Sequence, residues 1–190
     1  MLHDCDAEII PIEPDAGNAA AGIASTIVMV CEAVSIPYRL FKYANRGTSA
    51  NDNSMRYLCV LTIAGSDSCG GAGVQADIKT MSALGVYAAS AITSVTVQNT
   101  LGVKAIQAIE PAIVAGQIKA VMDDVKPVAI KIGMVNDCAT IHAIADSLSS
   151  YSPSKLVVDP VMASTSGSML MQRDALEVFC SELLPMATLL

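Results

Sequence analysis

A glycine-rich loop, GSDSCGGAG at residues 65–73, joins an apolar run to a helical pattern. Free backbone N–H groups and the positive end of the helix dipole favour an anion or a polar ligand at such a junction. The loop lacks the Gly-Lys-Ser/Thr sequence of a P-loop, and its glycine spacing differs from that of a dinucleotide-binding fingerprint. Because Ser66, Asp67 and Ser68 crowd the same loop, we favour a binding role over a tight turn that needs positive φ.

Three polar residues outside the loop also stand where they could contribute to a site. Gln98 follows an apolar run, and its amide offers a donor and an acceptor to the edge of a flat ring; a turn without a ligand is the alternative. Asp159 ends the run Val157-Val158, where its carboxylate could serve magnesium or a phosphate-bearing cation, or simply cap a turn. Asp77 lies one turn into the helix after the loop. We place it opposite the apolar stripe of that helix. The alternative is that its carboxylate only interacts with the positive end of the helix dipole.

A lysine within an apolar run is the last candidate. Lys131 lies in AIKIG at residues 129–133 and could pair with Asp159 or Asp77. The alternative is a lysine whose stem reaches the surface. His142 is assigned no role in a site, because no second ligand or nucleophile stands at a suitable spacing.

Short apolar runs alternate with amphipathic stretches from residue 57 onward. The pattern predicts strands at 57–65, 91–98, 103–109, 128–133, 155–159 and 186–190, and helices at 74–84, 111–123, 136–148 and 173–184. Repeated β–α units imply parallel strands in a doubly wound three-layer α/β/α sandwich, with 103–109 as a candidate edge strand. Since ligands of such sheets bind outside the carboxyl ends of the strands, the candidates should share one neighbourhood with Gly133, Met134 and Val161.

The composition excludes several classes of partner. A formal net charge of -7 and the lack of a Lys/Arg cluster argue against nucleic-acid binding. The apolar stretch at 18–34 is too short and polar for the roughly 20 residues of a membrane span, and acidic residues precede it where a signal peptide is basic. Six scattered cysteines without a CxxC motif predict no zinc or other metal site and are typical of reduced thiols in a cytoplasmic protein.

A polar segment divides the chain. Residues 46–54 read RGTSANDNS, which is typical of a linker, and Met55 directly follows. We therefore predict an unassigned extension at 1–54 that the fold does not require, and a single domain at 55–190.

Four sequence blocks carry a family resemblance. LTIAGSDSCGGAGVQADIKTMSALGVY, ITSVTVQNTLGV, VKPVAIKIGMV and LVVDPVMASTSG occur in this order between residues 61 and 167. Together with the surrounding sequence at 57–190, they resemble the N-terminal part of the hydroxymethylpyrimidine and phosphomethylpyrimidine kinases of thiamine biosynthesis, which have a ribokinase-like fold. The GSDSxGGAGxQAD block is the most specific part.

The resemblance implies an acceptor and a phosphate donor. Kinases of this family use ATP and Mg²⁺ to phosphorylate 4-amino-5-hydroxymethyl-2-methylpyrimidine and then its monophosphate. The positions that surround the aminopyrimidine correspond here to Gly65, Asp77, Gln98, Met134 and Val161. Gln98 would contact the ring edge, and the glycine-rich loop would bind the acceptor instead of an anion. Asp159 is expected near phosphate and magnesium from its position at the end of a strand. A homodimer is compatible with these expectations.

Two departures from the family pattern limit what can be transferred. Ser164-Thr165-Ser166-Gly167 stands where some members have Ala-Lys-Ser-Gly, so a lysine contact to phosphate is not transferred. The sequence ends at Leu190, before the family's Gly-Thr-Gly-Cys anion-hole loop. We therefore assign no catalytic residue and expect this chain alone to lack kinase activity. A pyridoxal-type kinase and a non-catalytic pyrimidine-binding module are the alternatives.

Overall fold

The computed structural model describes residues 58–164 and 169–190, so the expected extension, linker and domain start lie outside the described residues. The strands are β1 (Cys59–Asp67), β2 (Tyr87–Asn99), β3 (Gly102–Ala108), β4 (Ala129–Ile132) and β5 (Leu156–Val158). The helices are α1 (Gly73–Ala83), α2 (Pro111–Asp124), α3 (Cys138–Ser149) and α4 (Ala175–Val178). A π-helical turn (Phe179–Leu183) and a 3-10 turn (Leu184–Met186) continue α4.

The five strands form one sheet in the order β3-β2-β1-β4-β5. β1 pairs in parallel with β2 and with β4, and β4 pairs in parallel with β5. β3 pairs antiparallel with β2 at the edge, because only a tight turn joins the two strands. The strand predicted at 186–190 is limited to an isolated parallel bridge between Leu189 and Val157, because Met186 still belongs to a 3-10 turn.

Helices cover both faces of the sheet, which confirms the predicted three layers. Leu61 and Ile63 of β1 point to one face and pack in the large apolar cluster that includes Ile118 of α2 and Ile144 of α3. Side chains of a strand alternate between faces, so Val60 points the other way and packs with Met81 of α1.

Local sequence signals set three of the helix ends. Gly85 adopts φ 70° after α1, and the following Val86 N–H donates to Met81 O at 2.8 Å. Pro111 begins α2 at a position where its missing N–H costs nothing. Asp137 caps α3 by accepting from Thr140 N–H at 2.8 Å.

The prediction of one regular helix at 173–184 is wrong. Regular α-helix is limited to Ala175–Val178, and a wider π-helical turn follows. Pro185 has no N–H to donate back into the helix, which prevents regular α-helix from continuing through it. The π-helical turn keeps Phe179 and Leu183 fully buried against the sheet.

Phe179→Ala tests how far this segment stabilises the fold. Phe179 belongs to the large apolar cluster and has no exposed surface, so its truncation should lower the free energy of unfolding by about 3–5 kcal/mol. Leu176→Ala, at a more exposed position of the same segment, is the control and should cost about 1 kcal/mol or less. Urea denaturation measures both. Equal losses would show that Phe179 does not anchor the segment.

Candidate functional site

The carboxyl ends of four strands bring the predicted residues to one edge of the sheet. Gly65 lies near the end of β1, and Gln98 lies near the end of β2. Met134 follows β4, and Asp159 directly follows β5, where its N–H donates to Ile132 O at 2.8 Å. Val161 comes two residues later, and its N–H donates to Asp159 O at 2.8 Å. The neighbourhood predicted from strand ends is therefore present.

The glycine-rich loop folds around the carboxylate of Asp67. The two carboxylate oxygens accept backbone N–H groups from Cys69, Gly71 and Ala72 at 2.8–2.9 Å. Asp67 is itself buried. The carboxylate of Asp67 thus occupies three of the N–H groups that could have bound an external anion or polar ligand, and these three groups are not available to one.

Close contacts hold the loop against the sheet. Gln75 of α1 accepts from Asp67 N–H at 2.8 Å and donates to Ser66 Oγ at 2.7 Å. Gly73 adopts φ 55°, and a Cβ at this position would lie within van der Waals overlap of Gly65 O. Glycine is therefore required where α1 begins beside Gly65.

Gly65, Met134 and Ser94 of β2 pack against one another. A Cβ added at Gly65 would lie 2.9 Å from Ser94 Oγ and 3.2 Å from Met134 Sδ. Thr93 Oγ1 donates to Met134 O at 2.8 Å and fixes this backbone. Ser94 Oγ is buried and has no hydrogen-bond partner among the described residues.

Gln98 is fixed through its backbone, which exchanges hydrogen bonds with Ser68 Oγ at 2.7 and 3.0 Å. Its Oε1 lies 3.2 Å from Thr96 Oγ1, a hydroxyl that also donates to Ser66 O at 2.9 Å. Within the described part of the chain, no protein acceptor engages the Gln98 NH₂ group. An amide with free donors can bind a polar ligand edge.

Lys131 lies between two carboxylates at the same edge. Its Nζ is 3.1 and 3.2 Å from the Asp77 oxygens and 3.8 Å from Asp159 Oδ2. Thr62 Oγ1 donates to Asp77 Oδ2 at 2.6 Å. Lys131 and Asp77 are each 4% exposed, so the lysine does not extend to the surface.

Our placement of Asp77 opposite the apolar stripe of α1 is wrong. Val74, Asp77 and Met81 are three and four residues apart and share the buried face of the helix. The carboxylate is tolerated there because Thr62 and Lys131 satisfy it. Neither Thr62 nor the internal role of Asp67 was predicted. The role of Asp67 could have been recognised from the sequence, because an aspartate in a glycine-rich turn often accepts from the backbone N–H two residues later.

A cleft lies at the opposite end of the sheet from the candidate residues. A cleft of about 450 Å³ is lined by Met122, Asp123, Lys126, Pro127 and Tyr151. Tyr151 OH donates to Asp123 Oδ1 at 2.6 Å, and hydrogen bonds from Lys119 and Tyr151 lower the pKa of Asp123. These groups are surface pairs remote from the strand ends where the candidates gather.

The described residues contain four cysteines, all of them unpaired. Cys59, Cys69, Cys138 and Cys180 are free thiols, and burial raises the pKa of Cys59. Across 58–164 and 169–190, no group of three or more His, Cys, Asp or Glu residues could hold a metal ion. No described helix combines the length and apolar character that a membrane crossing needs.

Comparison with known proteins identifies close relatives. The sequence model described as "Phosphomethylpyrimidine kinase" matches residues 67–190. A hydroxymethylpyrimidine/phosphomethylpyrimidine kinase of Rhizobium meliloti is 54% identical over 127 residues, which cover 67% of this chain and 47% of the relative. The Escherichia coli protein of the same name is 43% identical over 72% of this chain and 51% of its own length. The chain thus spans about half the length of these relatives.

Another relative aligns over more of the chain. A thiamine biosynthesis bifunctional protein of Geobacter sulfurreducens is 38% identical over 188 residues. The alignment covers 95% of this chain and 38% of that protein, so it includes most of residues 1–54.

Solved structures show the same fold. Phosphomethylpyrimidine kinase of Clostridium difficile is 50% identical with a TM-score of 0.65, covering 68% of this chain and 56% of that one. Pyridoxal kinase of Staphylococcus aureus in complex with AMP-PCP and pyridoxal is 30% identical with a TM-score of 0.59, covering 70% and 46%. The predicted ribokinase-like α/β fold is confirmed.

Asp67→Ala tests whether the internal carboxylate holds the glycine-rich loop. The change leaves three backbone N–H groups without their acceptor, so the free energy of unfolding should fall by about 2–4 kcal/mol. Asp124→Ala removes the same charge from an exposed position and should be nearly neutral. Denaturation curves compare the two variants. An Asp67→Ala protein as stable as the control would contradict the role of this carboxylate.

Proposed function

The chain belongs to the phosphomethylpyrimidine kinase family, and from this premise we propose that it binds 4-amino-5-hydroxymethyl-2-methylpyrimidine or its monophosphate as acceptor of a phosphoryl group from ATP. The observation that carries the proposal is the amide of Gln98. Its oxygen lies 3.2 Å from Thr96 Oγ1, and its NH₂ group has no protein acceptor in the described structure. A flat ring with nitrogen acceptors and an amino donor on its edge is complementary to such an amide.

Neighbouring residues suit the same ligand. Gly65 lies at the strand ends between Ser94 Oγ and Met134 Sδ, and it can contribute only backbone groups to the ligand. Met134 contributes a polarisable sulfur nearby, and Val161 an apolar side chain that is partly exposed. Asp77 accepts from Thr62 and Lys131, which leaves acceptor capacity on a carboxylate with about four lone-pair sites. These residues form the proposed acceptor site.

Asp159 marks the proposed phosphate side of the site. Magnesium is commonly bound by one or two carboxylates together with water and substrate phosphates, so a single partly exposed Asp159 fits this ion. Bound Mg²⁺ would neutralise charge on the phosphates of ATP. The residues of this chain would hold and orient the acceptor. Phosphoryl transfer depends mostly on such positioning and on charge stabilisation.

A pyridoxal-type kinase is the second candidate function. The Staphylococcus aureus pyridoxal kinase has the same fold and was solved with pyridoxal, another flat hydroxymethyl heteroaromatic compound. The higher identity to the Clostridium difficile enzyme, 50% against 30%, favours the aminopyrimidine. Parallel calorimetric titrations with both compounds would distinguish them. A non-catalytic pyrimidine-binding module would bind the aminopyrimidine without transferring phosphate.

We also propose that the protein works in the cytoplasm and does not bind nucleic acid. Free thiols at four described cysteines suit a reducing cytoplasm. The net charge of -7 disfavours nucleic acid as a partner.

We infer further that residues 1–54 are separate from the kinase domain, because the family match begins at residue 67 while a bifunctional relative aligns across most of the extension.

Gln98→Leu tests the proposed acceptor site. The change nearly conserves volume but removes the donors, so one edge of the ring would lose a hydrogen bond worth about 1–3 kcal/mol. The dissociation constant for the aminopyrimidine should therefore rise roughly ten- to hundredfold. Isothermal titration calorimetry on the 190-residue chain measures it.

Gln107→Leu is the matched control, because Gln107 lies on the edge strand β3 and should not affect affinity. Unchanged affinity in a folded Gln98→Leu protein would mean that Gln98 is a turn residue and that the acceptor site is misplaced.

Removal of residues 1–54 tests the domain boundary. If the extension is separate, the shortened chain should keep its melting temperature within about 2 °C and bind the aminopyrimidine equally well. Differential scanning calorimetry and ligand titration measure the two properties. A large loss of stability would place part of the extension in the domain core.

A further inference from the structure

The two faces of the central strands β1 and β4 differ in chemistry. On the face covered by α1, the strands pair Val60 with Ala129 and then Thr62 with Lys131. Ala64 lies next to Gly133 one step further along, since a Cβ on Gly133 would be 3.1 Å from Ala64 Cβ. Apolar residues therefore give way to a polar pair and then to small residues as the strands approach the candidate site.

Lys131 extends along this row toward the site. A Cβ added at Gly133 would lie 2.7 Å from Lys131 Nζ, so the amine occupies the space that any side chain at residue 133 would need. Gly133 thus leaves room for the amine, and its φ does not lie in the left-handed region. The ammonium group is placed at the carboxyl edge of the sheet, next to the residues proposed to bind ligand.

The ammonium group joins carboxylates from two different elements. Asp77 belongs to α1 and contacts Nζ through both oxygens, whereas Asp159 follows β5 and is 3.8 Å away. The Asp159 side chain is 35% exposed, while Lys131 and Asp77 are almost completely buried. Two carboxylates this close repel each other, and a shared cation between them fixes their separation.

We propose that Lys131 is a positioning residue that holds Asp77 on the acceptor side and Asp159 on the phosphate side in one fixed arrangement. The inference rests on the proposed function, because Asp77 and Asp159 matter to ligand only if the acceptor binds at this edge. Lys131 acts through the carboxylates and does not need to touch the ligand. A purely structural lysine would affect stability alone.

Lys131→Met keeps the length of the side chain and removes its charge. In the 190-residue chain, the dissociation constant for the aminopyrimidine should rise by about tenfold or more, because Asp77 loses the partner that orients it. Ile132→Ala is the matched control: Ile132 is the adjacent residue, points to the opposite face and is fully buried. It should lower the melting temperature without changing the affinity of the folded protein.

Gly133→Ala provides a second test that preserves every charge. The added methyl group displaces the amine from its position, so the affinity should fall by roughly threefold or more although Lys131 is still present. This variant decides the question if Lys131→Met does not fold. Circular dichroism establishes folding before each titration.

The outcomes separate the two proposals. Weak binding by Lys131→Met or Gly133→Ala beside normal binding by Ile132→Ala would support the positioning role. Normal binding by both folded site variants, or an equal loss in Ile132→Ala, would overturn it while the acceptor site stands. If the unmodified chain does not bind the aminopyrimidine, the proposed function fails and the positioning role fails with it.

Discussion

The contact of Lys131 with Asp77 and Asp159 is the constraint on which the candidate site depends. A buried ammonium group is unfavourable unless carboxylates compensate it, and here the carboxylates come from α1 and from the segment after β5. Helix, central strand and strand-end segment are therefore tied together at the ligand edge. If one partner moved away, a buried charge would be left uncompensated. A small displacement of α1 would have this effect, so the arrangement favours a single geometry.

The opposite face of the sheet supplies stability without such polar groups. Its large apolar cluster includes residues of β1, β4, α2, α3 and the C-terminal helical segment. These side chains are closely packed and carry no charge. The small cluster under α1 contains only a few buried residues, among them Val60 and Met81. Stability and ligand binding thus depend largely on different faces of the same strands, which allows polar residues near the ligand to be accommodated.

Much of the fold was predictable because its signals are local. Gly85, Pro111 and Asp137 determine helix ends through their own backbone or side-chain chemistry, and apolar runs identify the central strands. The strand-end rule also placed the candidate residues at one edge of the sheet, where the structure has them. A pair between Lys131 and Asp77 was among the sequence expectations. The burial of Asp77 was not predicted, because it depends on how α1 packs on the sheet.

Binding of the aminopyrimidine at the carboxyl edge of the sheet is the central claim, and a two-dimensional ¹H–¹⁵N NMR titration tests it most directly. The account predicts that ligand shifts the side-chain NH₂ signals of Gln98 and the backbone amides of Gly65 and Gly133. Signals of Lys126 and Tyr151, at the opposite end of the sheet, should stay unchanged. Shifts confined to that opposite cleft, or no shifts at saturating ligand, would contradict the account.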